Sequence, residues 1–152
     1  MLPATNQRVE NHTADSINRE IAEQTRRRIQ YYASRSTDEI SHRINELDHE
    51  WDVERALECN ASALAFSGVV LSATGDKRWL LLPGIVTGFL FQHALQGWCP
   101  PLPILRRLGF RTAAEINEER YALKALRGDF DREFSSAKVS TSPASALASA
   151  SQ

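Results

Sequence analysis

The sequence is short of most features that announce a chemistry. It has two cysteines, Cys59 and Cys99, far apart and without a CxxC pair, which excludes a zinc ribbon and a disulfide framework. Its four histidines follow no ligand spacing, so no metal and no cofactor is expected. A net charge of −1 and the lack of a basic stripe with interleaved aromatics argue against nucleic acid as a partner. The opening residues, MLPATNQRVENHTADS, lack a basic start followed by an apolar run, so no secretory leader is expected there. Charge itself is missing from one long stretch. Between Trp79 and Trp98, WLLLPGIVTGFLFQHALQGW, there is no Lys, Arg, Asp or Glu.

That stretch organises the rest. Twenty helical residues rise about 30 Å, the thickness of a bilayer's hydrocarbon core, and an indole at each end suits the two interfaces. Ahead of it, Ala61–Gly75 is also uncharged but only moderately apolar. Extending that segment back to Ala56 gives a second span at the cost of admitting Glu58 and Asn60. Ala61, Ala65, Gly68 and Ser72 recur at spacings of three and four and make a narrow small-residue face, while Gly84 and Gly88 offer the matching small-xxx-small pair. Gly75-Asp76-Lys77-Arg78 reads as the turn between the spans. The expected fold is all-α: a two-helix transmembrane hairpin flanked by amphipathic cytoplasmic helices.

Around the hairpin the chain divides into a flexible amino terminus (1–13), an amphipathic helical region (14–55), the hairpin unit (56–111), a carboxy-terminal helix (112–134) and a disordered Ser/Ala tail (135–152). Ser36 with Glu39, and Thr112 with Glu115, have capping-box spacing, and Gly128 is placed to end the last helix. Ile40, Ile44, Leu47, Trp51 and Leu57 form a near-heptad apolar seam, and Ile116, Tyr121, Leu123 and Leu126 a modest one. Lys and Arg near the span ends number five on the terminal side (Arg43, Arg55, Arg106, Arg107, Arg111) against Lys77 and Arg78 in the turn, which puts both termini in the cytoplasm.

Leu82–Thr112, LPGIVTGFLFQHALQGWCPPLPILRRLGFRT, resembles the YgaP-like transmembrane domain family, most specifically in Gly97-Trp98-Cys99-Pro100. The resemblance implies a small two-helix domain of the bacterial inner membrane, standing alone or fused to a rhodanese sulfurtransferase. No rhodanese domain with its active-site loop is expected within these 152 residues.

A hairpin brings the start of its first helix beside the end of its second, so Glu58, Cys59, Asn60, His93, Gln96 and Cys99 are expected at one end. A thiol next to an imidazole can be held as thiolate, and Cys99, with His93, Cys59 and Glu58, is the candidate thiol site. Against this, Cys99 reads more simply as a small buried residue before a proline stop, since no triad is complete in the sequence. The expected function is therefore a membrane assembly factor, scaffold or accessory subunit without catalysis of its own. Its partners would be the bilayer and either further copies of itself or another membrane protein. A thiol-based sulfur or redox accessory is the second reading, and a soluble bundle with the apolar segments buried in its core is the third.

Overall fold

The computed structural model describes residue 4 and residues 6–130. Among them the chain is all-helical. Helices α1 (Asp15–Tyr32), α2 (Thr37–His49), α3 (Val53–Thr74), α4 (Leu81–Gln96), α5 (Leu102–Arg107) and α6 (Ala113–Arg127) follow in order, with single 3-10 turns at Glu10–His12 and Lys77–Leu80. The tail from 135 lies outside the described residues.

The local signals explain most boundaries. Both capping boxes form: Ser36 Oγ accepts the Glu39 amide and Thr112 Oγ1 the Glu115 amide, with each glutamate returning the bond to the cap's own amide. Gly97 and Gly128 end α4 and α6 in the left-handed conformation. Between α2 and α3 the chain breaks at Glu50–Asp52, where Asp52 caps α3 through the Arg55 amide (2.8 Å). The near-heptad seam from Ile40 to Leu57 therefore bends, and Trp51 stands exposed, its ring under the Arg55 guanidinium at 4.6 Å.

Two cores result. Ile40, Ile44 and Leu47 of α2 meet Ile116 and Leu123 of α6, with Tyr32 at the edge, and α1 packs on α6 to complete a cap. The second core joins Val9, the first turn of α3 (Val53, Ala56, Leu57), Cys99, and Leu102 and Leu105 of α5. The amino-terminal residues expected to be flexible are thus partly built in: Val9 is buried, and Thr13 Oγ1 donates to its carbonyl at 2.8 Å. Tyr121 and Leu126, placed on the apolar side of α6, are exposed because the α2 contact selects Ile116 and Leu123 alone. Arg106, counted among the charges that flank the hairpin, lies in α5 and is buried.

Helices α3 and α4 reverse at Gly75–Asp76 and pack antiparallel: Gly68 lies against Pro83, and Glu54 meets His93. Only one described helix, α3, is long and apolar enough to cross a membrane; α4, at sixteen residues, is shorter. The small-residue face of α3 is its less exposed side. Ala61, Ala65 and Ser72 are half-buried and Gly68 is buried, while their neighbours point outward. A Cβ on Gly68 would stand 2.5 Å from Pro83 Cδ. Gly84 and Gly88 do not face this stripe. Both are exposed, and a methyl added to either would meet nothing within 4 Å, because α4 turns Pro83, Val86 and His93 inward instead. The outer helices do not cover the apolar segments either: Phe66 is 70% exposed and Phe91 66%.

Candidate functional site

At the base of the hairpin the chain buries polar groups that its sequence pattern assigns to the surface. His93, in the last turn of α4, is 3% exposed. Its Nε2 is 2.9 Å from Glu54 Oε2, and Arg8 donates to Glu54 Oε1 at 2.9 Å and to the Ala94 carbonyl at 3.3 Å. A carboxylate can only accept, so Nε2 carries a proton and donates it to Glu54. Nδ1 is buried and has no hydrogen-bond partner. Cys99, also buried, lies against the same imidazole, without a hydrogen bond of good geometry to it.

The loop that presents Cys99 depends on Gly97. Its φ of +83° is a left-handed value that a side chain would strain, and a Cβ there would stand 2.4 Å from the Arg8 carbonyl oxygen. The 97–99 turn is thereby clamped between α4 and the amino-terminal segment, and Leu102 N bonds back to Cys99 O (3.1 Å) to open α5. On its other side Cys99 lines a groove of about 390 Å³ between α3, α4 and α5, whose walls include Leu64, Phe89, Leu90, Pro101 and Ile104.

The candidate thiol site assembles differently from the expectation. His93 and Cys99 do come together. Glu58 and Cys59 do not join them: both are exposed and line a separate groove with Trp51 and Arg55. The carboxylate that meets His93 is Glu54, one helical turn before Glu58, and Arg8 steadies it from a segment assigned to flexible chain. Asn60 bonds the Ala56 carbonyl at 3.1 Å, within its own helix. Among the described residues no group of three or more His, Cys, Asp or Glu side chains is arranged to hold a metal ion.

A second polar cluster ties the cap to the base. Glu119 is fully buried and accepts from Arg28 (3.1 Å), Arg43 (2.9 Å) and Arg111. Arg111 also forks onto Glu50, Nε to Oε1 at 2.8 Å and Nη2 to Oε2 at 2.6 Å. Arg106 forks onto Glu115 with two 2.7 Å bonds and reaches the Phe110 carbonyl and Asn18. Burial alone would raise the Glu119 and Glu115 pKa values, but the arginines outweigh it, and both carboxyls sit below the usual glutamate value. Such a network is structural in its geometry, since every member points at another. Sequence reasoning misses it. Glu119 falls between Ile116 and Leu123 on the stripe that α6 buries, and a charge in that position is the available signal.

Comparison with protein-family models, with curated proteins and with solved structures gave no match to this chain.

Proposed function

We propose that the chain is an integral membrane protein whose α3–α4 hairpin enters the bilayer from a cytoplasmic helical cap, and that it works as a scaffold or accessory subunit. One observation carries the reading. Beyond the Glu54–His93 pair the hairpin exposes a continuous apolar surface, including Leu64, Phe66, Val70, Ile85, Phe89 and Phe91. Its hydroxyls also need no water. All five hydroxyls from Ser62 to Thr87 donate to a carbonyl three or four residues back in their own helix (Ser62, Ser67, Ser72, Thr74, Thr87).

Length supports two passes. The 22 residues of α3 rise about 33 Å. The sixteen residues of α4 rise about 24 Å, and the four-residue 3-10 turn before them adds about 8 Å. Asp76, Lys77 and Arg78 at the tip would then lie on the far side, and the arginine-rich base would stay in the cytoplasm. In the setting implied by the sequence resemblance, the membrane is the bacterial inner membrane. A homo-oligomer or another membrane protein is the expected company, and the uncovered Gly84–Gly88 face is where a second helix approaches at least cost.

Alkaline carbonate treatment of membranes tests the reading: the protein should stay in the pellet and be released only by detergent. Release without detergent defeats it. A single cysteine at the tip (Asp76→Cys in a Cys59→Ser, Cys99→Ser background) should be labelled by an impermeant maleimide from the non-cytoplasmic side, and labelling only from the cytoplasm reverses the topology.

A further inference from the structure

We propose that the groove opening beneath Trp51 is a binding site for one bilayer phospholipid with an ethanolamine headgroup. Helices α3 and α4 part there and leave about 530 Å³ between them, within the usual range for ligand pockets. Its polar and apolar linings are segregated. Trp51, Arg55 and Glu58 stand at the end nearest the cap, while Ala61, Ala65, Val86 and Leu90 continue it toward the tip. Ser62 and Thr87 also line it, but each hydroxyl is spent on a carbonyl of its own helix. Beyond Ala65 the helices close, with Gly68 buried against Pro83. From Arg55 to Ala65 helix α3 rises about 15 Å, half of the roughly 30 Å hydrocarbon core. The groove is as long as one leaflet.

The headgroup follows from two charges that the chain does not use. The Arg55 guanidinium lies over the Trp51 ring at 4.6 Å and, among the described residues, makes no hydrogen bond or ion pair. Stacking fixes its plane and leaves its N–H edges free to fork onto a phosphate. The Glu58 carboxylate, exposed on the same face of α3, likewise has no partner among the described residues. Its neighbours are engaged: Glu50 with Arg111, Asp52 with the Arg55 amide, Glu54 with Arg8 and His93. Those three carboxylates, with Arg55 and Glu58, wall a cleft adjoining the groove, and their field favours an ammonium over an anionic headgroup. A cation and an anion on one helix face match a zwitterion. A primary ammonium donates hydrogen bonds to Glu58, whereas the quaternary ammonium of a choline headgroup has none to give. The contact also supplies a counter-ion to a carboxylate at the membrane end of the hairpin, where an unpaired charge is costly. An acyl chain then lies on Ala61, Ala65, Val86 and Leu90.

The site rests on the membrane-embedded hairpin proposed above, which sets the groove in one leaflet and supplies the lipid. Native mass spectrometry of the full chain, purified in mild detergent, tests it with ethanolamine, choline and glycerol phospholipids of identical acyl chains. One ethanolamine phospholipid should be retained per chain, about tenfold more tightly than either of the others. Glu58→Gln should remove the preference over the choline lipid, and Arg55→Gln should weaken binding of the ethanolamine lipid about tenfold. Both side chains are exposed and form no hydrogen bond in the chain, so helicity by circular dichroism should be unchanged in either variant. No retained lipid, equal affinity for the three headgroups, preference for the glycerol lipid, or a preference that survives Glu58→Gln overturns the proposal. The two readings fail differently. Release by alkaline carbonate defeats the membrane-spanning hairpin, whereas a chain that stays in the pellet and shows no headgroup preference defeats the lipid site alone.

Discussion

The cap and the hairpin satisfy their polar groups by opposite means. In the cap, ion pairs and hydrogen bonds reach across the chain: Arg28 and Arg43 to Glu119, Arg111 to Glu50, Arg127 to Ser41. In the hairpin, each hydroxyl turns back to a carbonyl in the preceding turn of its own helix. The difference separates two kinds of specification. Long-range charge pairs tell α1, α2 and α6 which partners to choose, and they matter most when water is excluded from them. Local bonds tell a helix nothing about its neighbours, but they leave it indifferent to the solvent around it. In the hairpin, pairing is decided by shape, through Gly68 and the small residues on its face.

The sharpest way to break this contrast is to remove the centre of the charge network. Glu119→Ala leaves Arg28, Arg43 and Arg111 without their shared partner, and should cost about 3–5 kcal/mol, read as a drop in the thermal midpoint by circular dichroism. Retention of the wild-type midpoint would mean that water reaches the cluster. Acid should act on the same groups. Glu119 and Glu115 have folded-state pKa values below the ordinary 4.5, so their contribution is fully present above that pH and is lost as pH falls through the lower folded values. Urea titrations at pH 7 and pH 3 should show this loss, and equal midpoints would refute it.

Shape governs the smaller effects. Gly97→Ala meets both a left-handed backbone and the Arg8 carbonyl, and should destabilise the base by about 1–3 kcal/mol in the same thermal assay. Gly68→Ala places a methyl 2.5 Å from the Pro83 ring and should cost about 1–3 kcal/mol of hairpin stability, measured as earlier unfolding in increasing SDS. In the single chain, before any second helix docks on this face, Gly84→Ala and Gly88→Ala should be neutral or stabilise by up to about 1 kcal/mol each, because the added methyl meets nothing and helix propensity improves. A loss at Gly84 or Gly88 comparable to that at Gly68 would mean that another surface already covers them.

These expectations also mark what is legible in the sequence. The two capping boxes and the small face of α3 depend on spacing within one helix, and spacing is visible in a string of letters. The all-helical class follows from the same periodicity. Gly84 and Gly88 land away from their expected place because a repeat of four names a face without saying what lies opposite. Glu58 stands in for Glu54 in the sequence reading for a similar reason: both sit on neighbouring turns of α3, and only the register of α4 brings Glu54 to His93. Arg106 and Arg111 look like surface charge until α6 supplies Glu115 and Glu119. Pairing across helices carries no local signature.

The close fit of the Gly97 turn against the Arg8 backbone has a consequence for timing. Residue 8 leaves the ribosome long before residue 97, yet its carbonyl, its guanidinium and the neighbouring Val9 are all seated on groups that come later: Glu54, Ala94, Gly97 and Leu102. The earliest described segment is therefore the last to find its place. It must wait, exposed, while α3 and α4 are made and paired, and it closes over the base only when the chain has turned at Gly97.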